Sequence, residues 1–232
     1  MSLLNSGNSK TRKGEKKGFT TYGLHLAPAK LSGFNVCKDA SQGCAAACLN
    51  TAGRGKMTMV QTARIKKTLF FFQDKQDFLS ELWKEAAKSI KSAARKNMTP
   101  CFRLNLTSDL PWEKIKFNGQ SIFEAFPEVT FYDYTKSPER MTAFLAGDLP
   151  KNYHLTFSRS ESNGTLSEAF LASGGNVAMV FRKSLPDTFK GFRVVDGDET
   201  DLRFLDGKGV VVGLKEKGLA KKDETGFVLE PV

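Results

Sequence analysis

From Pro100 onward the chain alternates short β-forming runs with short helical ones, and that order restricts its fold more than any other feature. Residues 101–108, 129–135, 153–158, 176–182, 192–195 and 210–214 are rich in β-formers. Helical or loop segments at 121–126, 138–146 and 166–172 lie between them. A strand, a helix and a further strand in succession pair in parallel through a right-handed crossover. An earlier run at 19–27, carrying Phe19, Tyr22, Leu24 and Leu26 and closed by Pro28, adds a first strand. A complete eight-unit barrel typically takes about 250 residues, and this chain has 232. The expected fold is therefore α/β: a partial, open β/α barrel of about six parallel strands in a single domain over residues 19–232.

Two helices are expected ahead of Pro100, at 58–72 and 76–97. In the second, Leu79, Leu82, Trp83, Ala86, Ile90 and Ala94 recur at three- and four-residue spacing, which gives one apolar face. Lys84, Lys88, Lys91 and Arg95 fall largely on the other faces. Residues 1–18, with Lys10, Arg12, Lys13, Lys16 and Lys17, read as a flexible basic tail in which little can be buried.

Polar residues gather where the strands end. Asn105, Ser108 and Asp109 close one run; Asp133, Thr135 and Lys136 the next. Ser158, Arg159, Ser160 and Glu161 close a third, and Asp196, Asp198 and Asp201 follow a later one. Parallel β/α folds build their sites beyond the carboxyl ends of the strands. A shared pocket is expected there, with Asn105, Ser108, Asp109, Asp133, Lys136, Ser158, Ser160, Glu161 and Asp196 supplying polar contacts to a ligand.

Three of the four cysteines fall close together, in the spacing Cys37-x6-Cys44-x3-Cys48, directly after the first expected strand. Such clustering points to metal or redox chemistry, not to a disulfide framework. Ser41 is placed to cap a short helix that carries both Cys44 and Cys48 on one face. Cys44 would sit near its N-terminus, where the helix dipole lowers a thiol pKa. Thiolates suit iron–sulfur clusters and zinc. A closed zinc site needs a fourth ligand. Cys101 begins a strand at the opposite end of the sheet and reads as a small buried apolar residue. Three thiolates suit a [4Fe-4S] cluster with one open iron.

Charge is unevenly spread. Residues 1–100 hold 18 Lys/Arg against 6 Asp/Glu, whereas the whole chain has a net charge of +10. A basic half is an electrostatic footprint for phosphate-bearing partners, nucleic acid first. No apolar run approaches the roughly 20 residues that span a bilayer, and residues 1–18 contain no apolar signal core. A cytoplasmic protein is expected.

The strings SKTRKGEKKGFTTYGLHLAPAK, CKDASQGCAAACLNTAGRGK, RLNLTSDLPWE, FYDYTK, NYHLTFSRSE and DGDETDLRFLD resemble a bacteriophage protein family, gene product 88, over about residues 9–228. If phage-encoded, the protein would work in the host cytoplasm. A second similarity is to radical S-adenosylmethionine (SAM) enzymes: a strand, a cysteine loop, a helix, then further strands of a partial barrel. The cysteine spacing here is wider than that superfamily's usual motif, and LTSD stands where it carries a glycine-rich sequence. What this similarity implies is that Cys37, Cys44 and Cys48 ligate iron. Ser108 and Asp109 would lie where the amino group of SAM is held, and Ser158, Ser160 and Glu161 where its ribose and carboxylate are met.

Three functions follow as expectations. The first is a phage-type iron–sulfur protein, radical-SAM-like, binding SAM or a related ligand at the open iron. The second is a divalent-metal nuclease using Asp109, Asp133, Glu161, Asp196 and Asp198. The third is a zinc-containing nucleic-acid-binding protein contacting phosphates through the tail, Arg54, Lys56, Arg64, Lys66 and Lys67. Phe70–Phe72 read as core rather than as a base-stacking platform.

Overall fold

The computed structural model describes residues 1–6 and 11–231. Its elements are β1 (Leu4–Asn5), β2 (Phe19–Leu24), α1 (Gln42–Ala46), α2 (Thr58–Gln73), α3 (Lys75–Ala94), β3 (Thr99–Arg103), β4 (Lys116–Phe117), β5 (Gln120–Ser121) and α4 (Ile122–Ala125). There follow β6 (Thr130–Thr135), α5 (Pro138–Ala146), β7 (Tyr153–Ser158), α6 (Gly164–Ala172), β8 (Val177–Phe181), β9 (Thr188–Phe189), β10 (Phe192–Asp196), β11 (Val211–Lys215) and β12 (Val228–Leu229). The boundaries follow local chemistry. Ser137 caps α5 through the amide of Arg140, Pro138 occupies its first turn, and Gly147 ends it in the left-handed region at φ 82°. Ser121 and Glu124 form a reciprocal capping box on α4.

One sheet dominates, in the order β1-β2-β3-β6-β7-β8-β11-β10-β9, and β12 adds to β8. From β2 to β8 each strand lies beside the next long one in the chain, and every pair is parallel. β11 and β10 continue the parallel run, whereas β1 and β9 are short antiparallel edges. The result is a mixed α/β protein with a mostly parallel central sheet. It is not a closed barrel: among the described residues no pairing joins the β1 end of the sheet to the β9 end.

Side chains alternate across a strand, so the sheet has two different faces. One face presents Phe102, Leu104, Phe131, Tyr153, Leu155, Phe157, Val177, Met179 and Phe181. These form one core with Phe71, Phe78, Leu79, Leu82 and Ala86 of α2 and α3, Met141 of α5, and Phe170 and Leu171 of α6. The opposite face presents Cys101 and Tyr132, and the segment between β10 and β11 lays Leu202 and Phe204 across it. Phe204 meets Phe19, Tyr132 and His154 edge-on or tilted. On α3, Lys84, Lys88, Lys91 and Arg95 are exposed, as the periodicity requires.

The expected basic tail needs correction. Leu3 and Leu4 are 0% and 7% exposed and belong to the main core. β1 pairs with β2, and the Glu85 carboxylate accepts the amides of Leu3 and Leu4 at 2.7 Å each. Residues Thr11–Lys17 form a 3-10 helix. Two apolar residues ahead of a basic stretch sufficed to add an edge strand. Lys10 lies outside the described residues. No described helix is long and apolar enough to cross a membrane.

Candidate metal centre

Cys37, Cys44 and Cys48 are free thiols, each partly buried, in the segment between β2 and α2, and they act electrostatically on one another and with Asp109, Lys136 and Glu161 past the carboxyl ends of β3, β6 and β7. Cys37 lies in the loop after β2. Its sulfur accepts the Ala29 amide at 3.4 Å and stands 3.9 Å from the Thr107 carbonyl of the loop after β3. Cys44 lies on α1, whose N-cap Ser41 accepts the Cys44 amide at 3.2 Å. The short helix and its cap match expectation, but its length does not. α1 ends at Ala46, and Cys48 stands past it, before a 3-10 turn at Leu49–Thr51. Cys44 and Cys48 therefore reach the site from two elements, not from one helix face.

Glu161, just beyond β7, anchors α1. Its carboxylate accepts the Ser41 hydroxyl and the Gly43 amide, each at 2.7 Å. Despite the cost of burial, these bonds, with Lys136 nearby, hold Glu161 below the usual carboxylate range. Only glycine fits at 43: a Cβ there would lie 2.4 Å from Thr225 Oγ1 and 2.8 Å from Glu161 Oε2.

Burial, not the helix dipole, sets the thiol chemistry. It pushes Cys37 up to about 11 and raises Cys44 and Cys48 as well. The lowered Cys44 pKa expected from the helix terminus is thus reversed, because α1 is a single turn and Glu161 already occupies its N-terminus. Each thiolate would also raise its neighbours: Cys48 and Cys44 act on Cys37, and Cys48 on Cys44.

Two cations face these sulfurs, Arg64 buried and Lys136 half-buried. Lys136, two residues past Tyr134 on the same side of the sheet, donates to Ser158 Oγ at 2.7 Å and to the carbonyls of Ser158 and Arg159 at 3.3 and 3.2 Å. It also reaches the Cys44 sulfur. Arg64, on α2, donates to Asn50 Oδ1, and its charge opposes the rise in the Cys48 pKa. Among the described residues neither cation pairs with a carboxylate within ion-pair distance. Burial lowers the pKa of both, with Cys44 opposing this at Lys136 and Cys48 at Arg64.

The remaining polar residues divide into groups. Lys136, Glu161 and Asp109 act electrostatically on Cys44, and Ser158 joins them through Lys136. Asn105, Ser108 and Asp133 bond mainly to one another, one layer below. Asp133 Oδ1 accepts the Asn105 amide at 2.7 Å, Asn105 Oδ1 accepts the Ser108 hydroxyl at 2.8 Å, and Asp133 Oδ2 accepts Tyr153 OH at 3.1 Å. Strand alternation explains this: Asp133 shares the helix-facing side with Phe131, while Lys136 and Tyr134 share the other. Asp109 bridges the two groups, accepting the Lys136 amide at 2.7 Å and pairing with Arg140. Ser160 lies in a turn, its amide donating to Asn163 Oδ1 at 2.7 Å. Asp196 is exposed on β10 and accepts the Asp198 amide, apart from the cysteines. Arg140 and Glu113 have no signal in the sequence beyond being charged, and Arg64 reads there only as a phosphate contact; packing puts all three here.

Among the described residues no three His, Cys, Asp or Glu side chains are placed to hold one metal ion. Neither the five acids considered for a nuclease nor Cys37, Cys44 and Cys48 meet around a single ion. Of the basic residues considered for phosphate contact, Arg64 and Lys67 are buried, Lys67 donating to the Leu3 carbonyl at 2.7 Å; Arg54, Lys56 and Lys66 are exposed. Phe71 is core, and Phe72 stacks on Phe34 with centroids 4.3 Å apart. Cys101 is fully buried against Thr21, away from the mouth.

The fold defines a mixed α/β protein with a mostly parallel central sheet. The chain belongs to the gene product 88 family, whose model matches residues 2–231. No curated protein and no solved structure matches it.

Proposed function

We propose that Cys37, Cys44 and Cys48 hold a [4Fe-4S] cluster whose fourth iron is left to a small ligand, SAM or a related amino acid. The observation that carries this reading is the pairing of three free, partly buried thiols with two cations, Arg64 buried and Lys136 half-buried, whose hydrogen-bond acceptors are neutral. Thiols that ionise on binding iron bring negative charge into a poorly solvated mouth, and Lys136 and Arg64 supply the counter-charge. A cubane asks each thiolate for a different iron, so it does not need three ligands around one ion. The donor set fits such a cluster better than a closed zinc site, because Cys101 is out of reach as a fourth thiolate.

In this reading the cluster, when bound, supplies one-electron chemistry. The chain supplies the rest. Glu161 and Ser41 fix the turn that carries Cys44. Lys136 donates toward the Cys44 sulfur and holds the ends of β6 and β7 together. Asp109 acts on Cys44 and Ser158 holds Lys136, and a ligand's amino group or hydroxyl would meet them there. The one-way strand order from β2 to β8 supports a partial β/α barrel of the radical-SAM kind. The test is titration of reduced, anaerobically purified protein with SAM, followed by electron paramagnetic resonance. A shifted cluster signal that Asp109→Ala weakens without loss of iron supports the reading. A spectrum unmoved by SAM, with no heat of binding, rejects SAM.

A further inference from the structure

At the same mouth, two guanidinium groups carry N–H groups that meet no acceptor. Among the described residues, the Nε–H groups of Arg64 and Arg103 are buried without a hydrogen-bond partner. Arg64 is only 8% exposed. Its recorded side-chain bond runs from Nη1 to Asn50. Arg103 pairs with Asp201 through Nη1 at 2.9 Å and lies 4.5 Å over the Tyr134 ring, which leaves Nε unused. Buried donors are rarely left unmade, and each one calls for a partner.

His25 lies between the segments that carry these groups: Thr68 Oγ1 accepts the Ala27 amide at 2.8 Å and donates to the Arg64 carbonyl at 2.9 Å, which sets this turn of α2 against the chain just past His25. β2 and β3 pair with Gly23 opposite Arg103. His25, two residues past Gly23, leaves the sheet on the same side as Arg103. Burial first, then the charges of Arg64, Arg103 and Lys67, drive the His25 pKa down to about 3. His25 is therefore a neutral ring in a positive field, with Thr107 Oγ1 at 3.4 Å from its Nδ1. Asp201 answers Arg103, but among the described residues no carboxylate answers Arg64. A bound water would satisfy an N–H group without balancing that charge. An oxyanion would do both, and guanidinium groups are the side chains best suited to oxyanions.

We propose that this corner binds a carboxylate or phosphate group of the small molecule on which the site acts, held by the Nε–H groups of Arg64 and Arg103 and lined by His25. The proposal goes beyond the cluster reading and does not depend on it, since the groups belong to the chain. The test is calorimetric titration of the anaerobically purified full chain at low salt, with inorganic phosphate and, separately, with acetate. Binding of one or both is expected, and which one binds assigns the class. Arg64→Lys and Arg103→Lys should each weaken it about tenfold or more, as expected for a lost charge-assisted hydrogen bond, while the exposed control Lys208→Gln should not. Thermal unfolding checks each variant. If Arg103→Lys unfolds because Asp201 loses its partner, Arg64→Lys decides alone, having no carboxylate to leave unpaired. Neither anion binding to the wild type, or binding unchanged in Arg64→Lys, would overturn the proposal. Phosphate or acetate binding in a chain that never retains iron would count against the cluster only.

Discussion

Asp133→Asn should change how stability depends on pH, and the structure gives the sign. Asp133 is 1% exposed. Burial pushes its pKa from 3.8 up to about 7, against the opposing pull of Arg103, the Asn105 amide, Arg140 and Tyr153. The folded state therefore keeps a proton that the unfolded chain releases. Between about pH 4 and about pH 7, rising pH removes stability from the wild type at up to about 1.4 kcal/mol per pH unit. Over the roughly three-unit shift this amounts to an order of 4 kcal/mol. Asn at this position has no such proton to lose and keeps an acceptor for the Asn105 amide. The assay is urea unfolding of both proteins across that range, taking the difference at each pH so that other titrating groups cancel. The variant should gain on the wild type steadily as pH rises and then level off. A difference that stays flat, or a wild type that gains on the variant with rising pH, would mean that Arg103 and Arg140 keep Asp133 ionised, and the reasoning from burial would fail.

Three more outcomes can be checked. Cys37→Ala, Cys44→Ala or Cys48→Ala should each abolish iron retention, whereas Cys101→Ala, removing a thiol packed against Thr21, should leave iron content unchanged; iron analysis decides, and equal loss in all four would indicate a four-cysteine site. Glu161→Ala removes the two bonds that hold α1, each worth about 1.5–3 kcal/mol; circular dichroism should show an intact fold while iron is retained poorly, and full iron content would show that α1 needs no anchor. Nucleic-acid binding, if it occurs through the exposed Arg54, Lys56 and Lys66, should weaken with salt, each removed charge lowering the slope by about 0.9 on duplex DNA; a slope unchanged in the triple alanine variant would place nucleic acid elsewhere.

Much of the fold was legible because its signals are local. The β-rich runs at 129–135, 153–158, 176–182 and 210–214 became β6, β7, β8 and β11, and Ser41 caps a short helix as expected. β1 was not legible, because its stability comes from Glu85, which lies 81 residues from Leu4. The cysteines could be grouped by spacing alone. The charges around them could not. Lys136 reads as a ligand contact at a strand end and Arg64 as a phosphate contact, and only packing shows that both lie near thiols, Arg64 buried and Lys136 half-buried. Asp133 and Asn105 looked like mouth residues because they end strands. Alternation across the sheet turned Asp133 to the helical side, where it bonds to Tyr153 and Asn105.

The most direct measurement is iron and acid-labile sulfide analysis, with the ultraviolet–visible spectrum, of the full chain purified without oxygen. The account predicts a brown protein with about four irons and four sulfides per chain, as a single cubane requires, all lost in Cys44→Ala. A colourless protein that carries zinc, or no metal at all after anaerobic reconstitution with iron and sulfide, would contradict it.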